Sequence, residues 1–243
     1  IAKMTDTFTT TTIDELAKRR GEPSWLTDLR RQALAKHLEL PWPHVSDDIW
    51  RRTDVSLLDP MRGFAPAERS LHQAIALTEE QTAAFTQPLG GEHLVVRANG
   101  SWLAKPQLPG VVVEDAMRAV THHPDPIRQV LESDGLTAAE QKLTTLNTAF
   151  HHDDVLVQVP AGSSEPRPIR LVHLFSAGAQ EAFFPITLMT VGAGSADALM
   201  TASIWVGTRD RCLPMAASVG EAAVNVSGAS SGLRLTMCKK SKM

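Results

Sequence analysis

The stretch DVLVQVPAG, residues 154–162, decides the fold that the sequence predicts. Val155, Val157 and Val159 occupy every second position, so they share one face of a strand. A proline, an alanine and a glycine follow directly, and such residues turn the backbone in little space. The stretch therefore predicts an apolar strand that ends in a tight corner.

The same kind of corner recurs through the second half of the chain. VPAG at 159–162, FSAG at 175–178 and VGAG at 191–194 each close an apolar segment. Short strands at such even spacing are typical of an all-β sandwich, a barrel or a parallel β-helix. Repeated small-residue corners favour the stacked coils of a β-helix, although a jelly roll has similar spacing. No long helices separate these strands, which argues against a doubly wound α/β fold.

The sequence before about residue 145 has a helical pattern instead. Thr12–Glu15 has the spacing of a capping box, and the helix it opens is expected to end at Gly21. A second helix is expected after Pro23 and should stop at the PWP of 41–43. Its apolar stripe comprises Trp25, Leu26, Leu29, Ala33, Leu34 and Leu38, and its charged residues Arg30, Arg31, Lys36 and Glu39 are expected largely off that stripe.

The composition excludes several classes of function. The chain has 243 residues, 43% of them hydrophobic, and a net charge of −3, so nucleic acid is not expected as its main partner. No apolar run approaches the roughly 18 residues of a membrane span. Cys212 and Cys238 form no C-x-x-C pair. We therefore expect a cytoplasmic protein that binds neither membrane nor nucleic acid.

His151, His152 and Asp153 are the candidate metal or acid–base residues. Histidine and aspartate are common ligands of zinc and iron. Adjacent residues of a strand point to opposite faces, however, so the two histidines would share a metal only within a turn. Aspartates directly before a strand are also common turn formers. Both interpretations stay open: a turn at the entrance to a strand, or a metal or acid–base site.

No other motif predicts an enzyme. The sequence lacks the three-glycine dinucleotide fingerprint, the phosphate loop G-x-x-x-x-G-K-[ST] and the nucleophile elbow G-x-S-x-G. Ser163, Asp153 and His173 have no spacing that supports a catalytic triad. His122 and His123 are expected at the end of a helix. This pattern favours a protein that binds partners and has no catalytic residues of its own.

Three strings carry a family resemblance when taken together. They are GEPSWLTDLRRQALAKHLELPWP (21–43) with IWRRTD (49–54), LPGVVVEDAMRAVTHHPDPIRQVL (108–131), and LNTAFHHDDVLVQVPAGSSEPRPIRLVHL (146–174). They contain Gly-Glu-Pro-x-Trp, Leu-Pro-x-Pro, Trp-Arg-x-Thr-Asp, Leu-Asn-x-Ala-Phe and Val-Pro-x-Gly in order. Over roughly residues 14–191 the chain resembles the SufD family of iron–sulfur cluster assembly scaffolds.

The resemblance implies a mainly β fold with N-terminal helices and a right-handed parallel, single-stranded β-helix. The sequence pattern itself predicts a helical region with a short β-hairpin, turning at Asn99-Gly100, in residues 1–145. The resemblance makes residues 146–243 an expected β-helix core that is incomplete, and the C-terminal helical domain of the family is expected to be absent. It also implies a scaffold without catalytic residues, in a SufBCD-type complex that assembles clusters and transfers them to apoproteins.

The implied partners are a SufB-like paralogue and a SufC-like ABC ATPase, which would hydrolyse the ATP. The ATPase docking region is expected to be missing here. No cofactor is expected on this chain alone, whereas the assembled complex would hold an iron–sulfur cluster. Asp154 stands where the family usually has glycine, so this turn is expected to differ. The match weakens after about Ala196, and either a truncated or altered chain or an end covered by a partner is expected there.

Two alternatives to the scaffold remain open. One is a stand-alone metal-binding β-fold protein or enzyme that uses His151, His152 and Asp153. The other is a plain homodimer, in which coils stacked end to end bury an exposed sheet edge.

Overall fold

The computed structural model describes residues 7–44, 46, 65–66, 79–88, 90–122, 124–132, 138–152, 155–163, 167–175, 181–182, 184–205, 220–226 and 231–235. The helices in these ranges are α1 (Thr10–Arg20), α2 (Ser24–Glu39), α3 (Glu79–Thr86), α4 (Ala116–His122), α5 (Pro124–Leu131) and α6 (Ala138–Phe150). The strands are β1 (Ala65–Pro66), β2 (His93–Ala98), β3 (Ser101–Ala104), β4 (Val112–Asp115), β5 (Val155–Val159), β6 (Ile169–Phe175), β7 (Glu181–Ala182), β8 (Thr187–Val191), β9 (Ser195–Trp205), β10 (Gly220–Val226) and β11 (Ser231–Leu235).

The N-cap of helix α1 lies three residues before the N-cap of the predicted capping box. Its N-cap is Thr9, whose Oγ1 accepts a hydrogen bond from the Thr12 backbone N–H at 3.2 Å. The prediction that the capping box at Thr12 opens the helix was wrong, because a run of threonines offers several equivalent hydroxyls and tertiary packing selects among them. The predicted end is correct: Gly21 has φ 61°, the left-handed cap conformation that glycine favours.

Strands pair in two larger sheets and one small one. The order is β10-β9-β6-β2-β3 in the five-stranded sheet and β11-β8-β5-β4 in the four-stranded sheet, while β1 pairs with β7. Within the larger sheets, β5 pairs in parallel with β8, and β6 pairs in parallel with both β2 and β9. The outer strands β3, β4, β10 and β11 all pair antiparallel with their neighbours.

Two of the predicted corners lie directly on one another. Gly192 N–H donates to Val159 O at 2.8 Å, and Gly162 N–H donates to Ala193 O at 3.0 Å. A Cβ atom added to Gly192 would lie 2.3 Å from the Ala161 backbone nitrogen. The corner therefore admits no side chain at this position. Coils of a β-helix would stack in this way, and the β-helix itself stays a prediction.

The main apolar core lies between the two larger sheets. It comprises Val95, Ile169 and Leu171 from one sheet, Val113, Val155, Val157, Val159, Met189 and Val191 from the other, and Val111 beside them. The predicted face of β5, formed by its three valines, is therefore buried. The opposite face of the four-stranded sheet packs against α2, α4 and α5 through Leu26, Ala116, Ile127, Leu156 and Leu188, among others.

The division predicted at residue 145 falls inside helix α6. Strands from both sides of it pair with one another, since β2 lies beside β6 and β4 lies beside β5. The two-part organisation stays a prediction. Among the described helices, none combines the length and the apolar character that crossing a membrane requires.

Candidate functional site

The His151-His152 corner joins helix α6 to strand β5. His152 N–H donates to Phe184 O at 3.1 Å, and Val155 N–H donates to Ile186 O at 3.0 Å. Both histidines are buried, with exposures of 3% and 2%. The corner is therefore fixed on both sides by backbone hydrogen bonds to the segment that leads into β8.

The two imidazole rings have different surroundings. His152 Nδ1 lies 3.0 Å from Phe150 O, and the ring meets Phe184 edge-on at 6.2 Å between centroids. The His151 ring instead lies within electrostatic range of the Glu22 carboxylate, whose pKa it helps to lower. The two rings thus interact with separate elements of the molecule.

The backbone carbonyl of His151 accepts two arginine hydrogen bonds. Arg20 Nη1 and Arg30 Nη1 each donate to it at 3.0 Å, and Arg30 Nη1 also donates to Ala149 O at 3.2 Å. These oxygens belong to the C-terminal end of α6, where the helix leaves carbonyls without internal partners and carries partial negative charge. The two cations from the N-terminal helices therefore cap helix α6.

Glu22 balances the charge of Arg30 through two parallel hydrogen bonds. Arg30 Nε donates to Oε2 at 2.8 Å and Nη2 donates to Oε1 at 2.9 Å, while both side chains have no exposed surface. Burial by itself raises the pKa of Glu22, but the charges of Arg30, His151 and Arg20 and the hydrogen bonds from Arg30 outweigh it, so this pKa lies below 4.5. Glu22 is therefore ionised at neutral pH.

We call this group the α6 junction: Arg20, Glu22 and Arg30 together with the carbonyls of Ala149 and His151. Its local origin is the short connection between α1 and α2. Gly21 turns the chain in the left-handed conformation, which brings Glu22 beside the first turns of α2. Each charged group in the junction has a partner of opposite charge or a carbonyl, so the arrangement fixes elements in place and offers no acid or base for turnover.

A second buried cation, Lys142, caps the C-terminal end of α2 in the way that Arg30 caps the end of α6. Lys142 Nζ, on α6, donates to His37 O at 2.5 Å and Leu40 O at 2.6 Å, which are carbonyls at the C-terminal end of α2. It also lies 5.3 Å from the centre of the Trp42 ring. Since residue 37 meets 142 and residue 30 meets 149, α2 and α6 run antiparallel. Each helix thus caps the end of the other.

A third buried cation joins the two larger sheets. Arg97 Nη2 donates to Asp115 Oδ2 at 3.0 Å and to Gly100 O at 2.9 Å, and its guanidinium lies 4.4 Å from the Trp102 ring centre. Asp115 Oδ1 also accepts from Met117 N–H at the start of α4. One strand residue therefore connects the hairpin, the four-stranded sheet and a helix.

The predicted site residues come together only in part. Asp153, Asp154, His123, Cys212 and Cys238 lie outside the described residues. Among the described residues, no group of three or more His, Cys, Asp and Glu side chains is placed to hold a metal ion. The metal interpretation of His151, His152 and Asp153 stays a prediction.

Two further histidines that the sequence analysis considered, His173 and His122, lie in a strand and at a helix end. His173 is buried in β6, with Nε2 3.3 Å from Thr187 Oγ1. His122 is in the last turn of α4, exposed, with Nδ1 2.8 Å from Arg118 O. The helix end predicted around His122 is correct.

Arg30 was the residue that the sequence-based prediction misplaced. It was expected away from the apolar stripe of α2, but it is fully buried, whereas Leu38 of the predicted stripe is 62% exposed. Leu26, Arg30, Ala33, Leu34 and His37 form the buried side of the helix. Positions 26, 30, 33 and 37 follow helical spacing, so this periodicity was the signal that places Arg30 inside.

Comparison with known proteins gives one informative likeness. No family model matches the chain. The iron-sulfur cluster assembly protein SufD of Bacillus subtilis (strain 168) is 25% identical over 167 residues. The aligned region covers 67% of this chain and 38% of that protein. The chain is thus similar to a part of a SufD protein.

Proposed function

We propose that the chain is a scaffold subunit of iron–sulfur cluster assembly, related to SufD and without catalytic residues of its own. The observation that carries the proposal is the likeness to a SufD protein over 67% of this chain. Among the described residues, the motifs that resemble the family in sequence lie in α2 and the turn before it, around α4 and α5, and from α6 through β6.

The α6 junction supports a positional role. It uses three charged side chains and two carbonyls to hold the N-terminal helices against the entrance of β5. A fully paired buried network contributes rigidity and a defined arrangement of elements. The proposed partners are a SufB-like paralogue and a SufC-like ATPase, with the cluster held by the assembled complex.

Co-purification from the native source tests this proposal. Tagged full-length chain should retain the SufB-like paralogue through washing at high salt. Loss of both the SufB-like and the SufC-like proteins from the wild-type sample would contradict the scaffold role.

Metal content separates the scaffold from the metal-binding alternative. The purified chain alone should hold no stoichiometric zinc or iron after dialysis. Stoichiometric metal that disappears in the His151→Ala, His152→Ala variant would establish the alternative and overturn the scaffold proposal.

A further inference from the structure

Helix α1 presents a narrow apolar face to the rest of the molecule. Its buried residues are Ile13, Leu16 and Ala17, and Phe8, just before the helix, is only 2% exposed. Most other residues of the helix are exposed. Positions 13, 16 and 17 follow the spacing of a single helical stripe. Helix α1 is therefore an amphipathic helix that lies on the core with one side and faces solvent with the other.

The surface that receives this stripe has an aromatic floor. The Phe8 ring meets the Phe150 ring edge-on at 4.9 Å between centroids and the Phe184 ring at 5.9 Å. Phe150 is the last residue of α6, so this floor borders the corner that leads into β5. We call the receiving surface the α1 groove, and it comprises Ala33, Leu34, Leu146, Ala149, Phe150 and Phe184.

The contacts that hold α2 against α6 are buried and charged. Arg30 donates to two carbonyls at the end of α6, and Lys142 donates to two carbonyls at the end of α2. Separation of these helices would leave buried charges uncompensated, which is strongly unfavourable. Glu22, the carboxylate partner of Arg30, follows Gly21 and stays with α2 when α1 moves. Helix α1 can therefore leave its groove while α2 and α6 stay together.

The connection between α1 and α2 suits such a movement. Gly21 ends α1 with φ 61°, and glycine changes its backbone conformation at little cost. Arg20 links α1 to the α6 junction, because its Nη1 donates to His151 O at 3.0 Å. The Arg20 side chain is 16% exposed, whereas that of Arg30 has no exposed surface. Water can replace the Arg20 contact, so this contact breaks at lower cost than those of Arg30.

We propose that α1 is a displaceable strap: it fills the α1 groove in the closed chain and opens about Gly21 as one unit. The occupant of the groove is thus a segment of this chain, and Phe8, Ile13 and Leu16 are the side chains that fill it. Opening exposes the aromatic floor, so the open chain is the minor state. The strap therefore switches access to an apolar site beside the entrance of β5.

Binding of a labelled peptide to the full chain tests the strap. The peptide comprises residues 7–21, and it competes for the groove in proportion to the fraction of open chains. Phe8→Ala in the chain removes the aromatic contact of the strap and raises that fraction. The peptide should then bind on the order of 10–100 times more tightly than to wild type, as measured by fluorescence anisotropy.

Two controls separate the groove from other surfaces. The Lys18→Ala chain changes an exposed position of α1 and should bind the peptide as wild type does. A peptide that itself carries Phe8→Ala should bind the Phe8→Ala chain much more weakly than the unchanged peptide does. Equal affinity of the Phe8→Ala and wild-type chains, or equal binding of the two peptides, would overturn the proposal.

Hydrogen exchange of the wild-type chain gives a second measurement that needs no variant. Amides of α1 should open together, at a lower free energy and with a weaker urea dependence than amides of α2 and α6, because release of the strap exposes less surface than unfolding does. A single free energy and a single urea slope for all three helices would overturn the proposal. Exchange throughout α1 that is independent of urea would also overturn it, since such exchange indicates fraying without release from the groove.

Discussion

At the scale of single residues, the molecule depends on buried cations that reach helix ends. Arg30 contributes hydrogen bonds to two carbonyls of the α6 end and has a full carboxylate partner in Glu22. Lys142 makes the equivalent contacts at the end of α2. A buried ion pair adds little stability relative to an apolar pair of the same size, but removal of one partner leaves a buried charge uncompensated.

The variant Arg30→Met should be strongly destabilised. It leaves the Glu22 carboxylate buried without its main partner, and we expect a loss of about 3–5 kcal/mol in the free energy of unfolding. Urea denaturation measures it, with Arg31→Met as the exposed control that should leave the midpoint unchanged. The double variant Glu22→Gln, Arg30→Met should recover part of the loss. A single variant as stable as wild type would show that the pair is not buried as described.

The same pair gives the stability a definite pH dependence. The pKa of Glu22 is lower in the folded chain than its usual 4.5, so the folded state binds fewer protons at this group than the unfolded state as pH falls below that value. Its contribution is therefore complete above pH 4.5 and is lost as pH falls through the folded pKa. The stability difference between wild type and Glu22→Gln should shrink on acidification. A difference that is constant from neutral pH to pH 3 would contradict this account.

At the scale of elements, the stacked corners determine which residues the turns admit. A methyl group on Gly192 would collide with the Ala161 backbone nitrogen, which no rotamer change relieves. Gly192→Ala should therefore destabilise the chain by roughly 1–3 kcal/mol through overpacking. Thermal unfolding measures the effect. Ala193→Ser, at the exposed next residue of the same corner, is the matched control and should melt as wild type does. An unchanged melting temperature for Gly192→Ala would mean that the corners do not stack this closely.

Local sequence signals predicted several helix and hairpin boundaries, whereas helix α6 and the burial of Arg30 were not predicted. Gly21, Pro23 and Asn99-Gly100 mark helix and hairpin boundaries through their own backbone preferences, and the structure places boundaries there. The burial of Arg30 depends instead on Glu22 and on carbonyls more than a hundred residues away. No local pattern encodes such a partner, although the helical spacing of position 30 indicated an inward direction.

At the scale of the whole molecule, the sequence motifs indicate the family resemblance, and the structure gives the pairing of the strands. The order of motifs led to the SufD resemblance, and the comparison with the Bacillus subtilis protein supports it at 25% identity. The pairing of β5 with β8 and of β6 with β9 followed from no single stretch, because register between distant strands depends on the whole core. The β-helix, the partners and the cluster are therefore proposals that binding measurements must test.

Native mass spectrometry of the purified chain mixed with its SufB-like paralogue tests the scaffold role most directly. We expect a complex with the mass of one copy of each protein, and a free chain that carries no metal ion. A free chain that carries stoichiometric metal, and forms no complex with the paralogue, would contradict it.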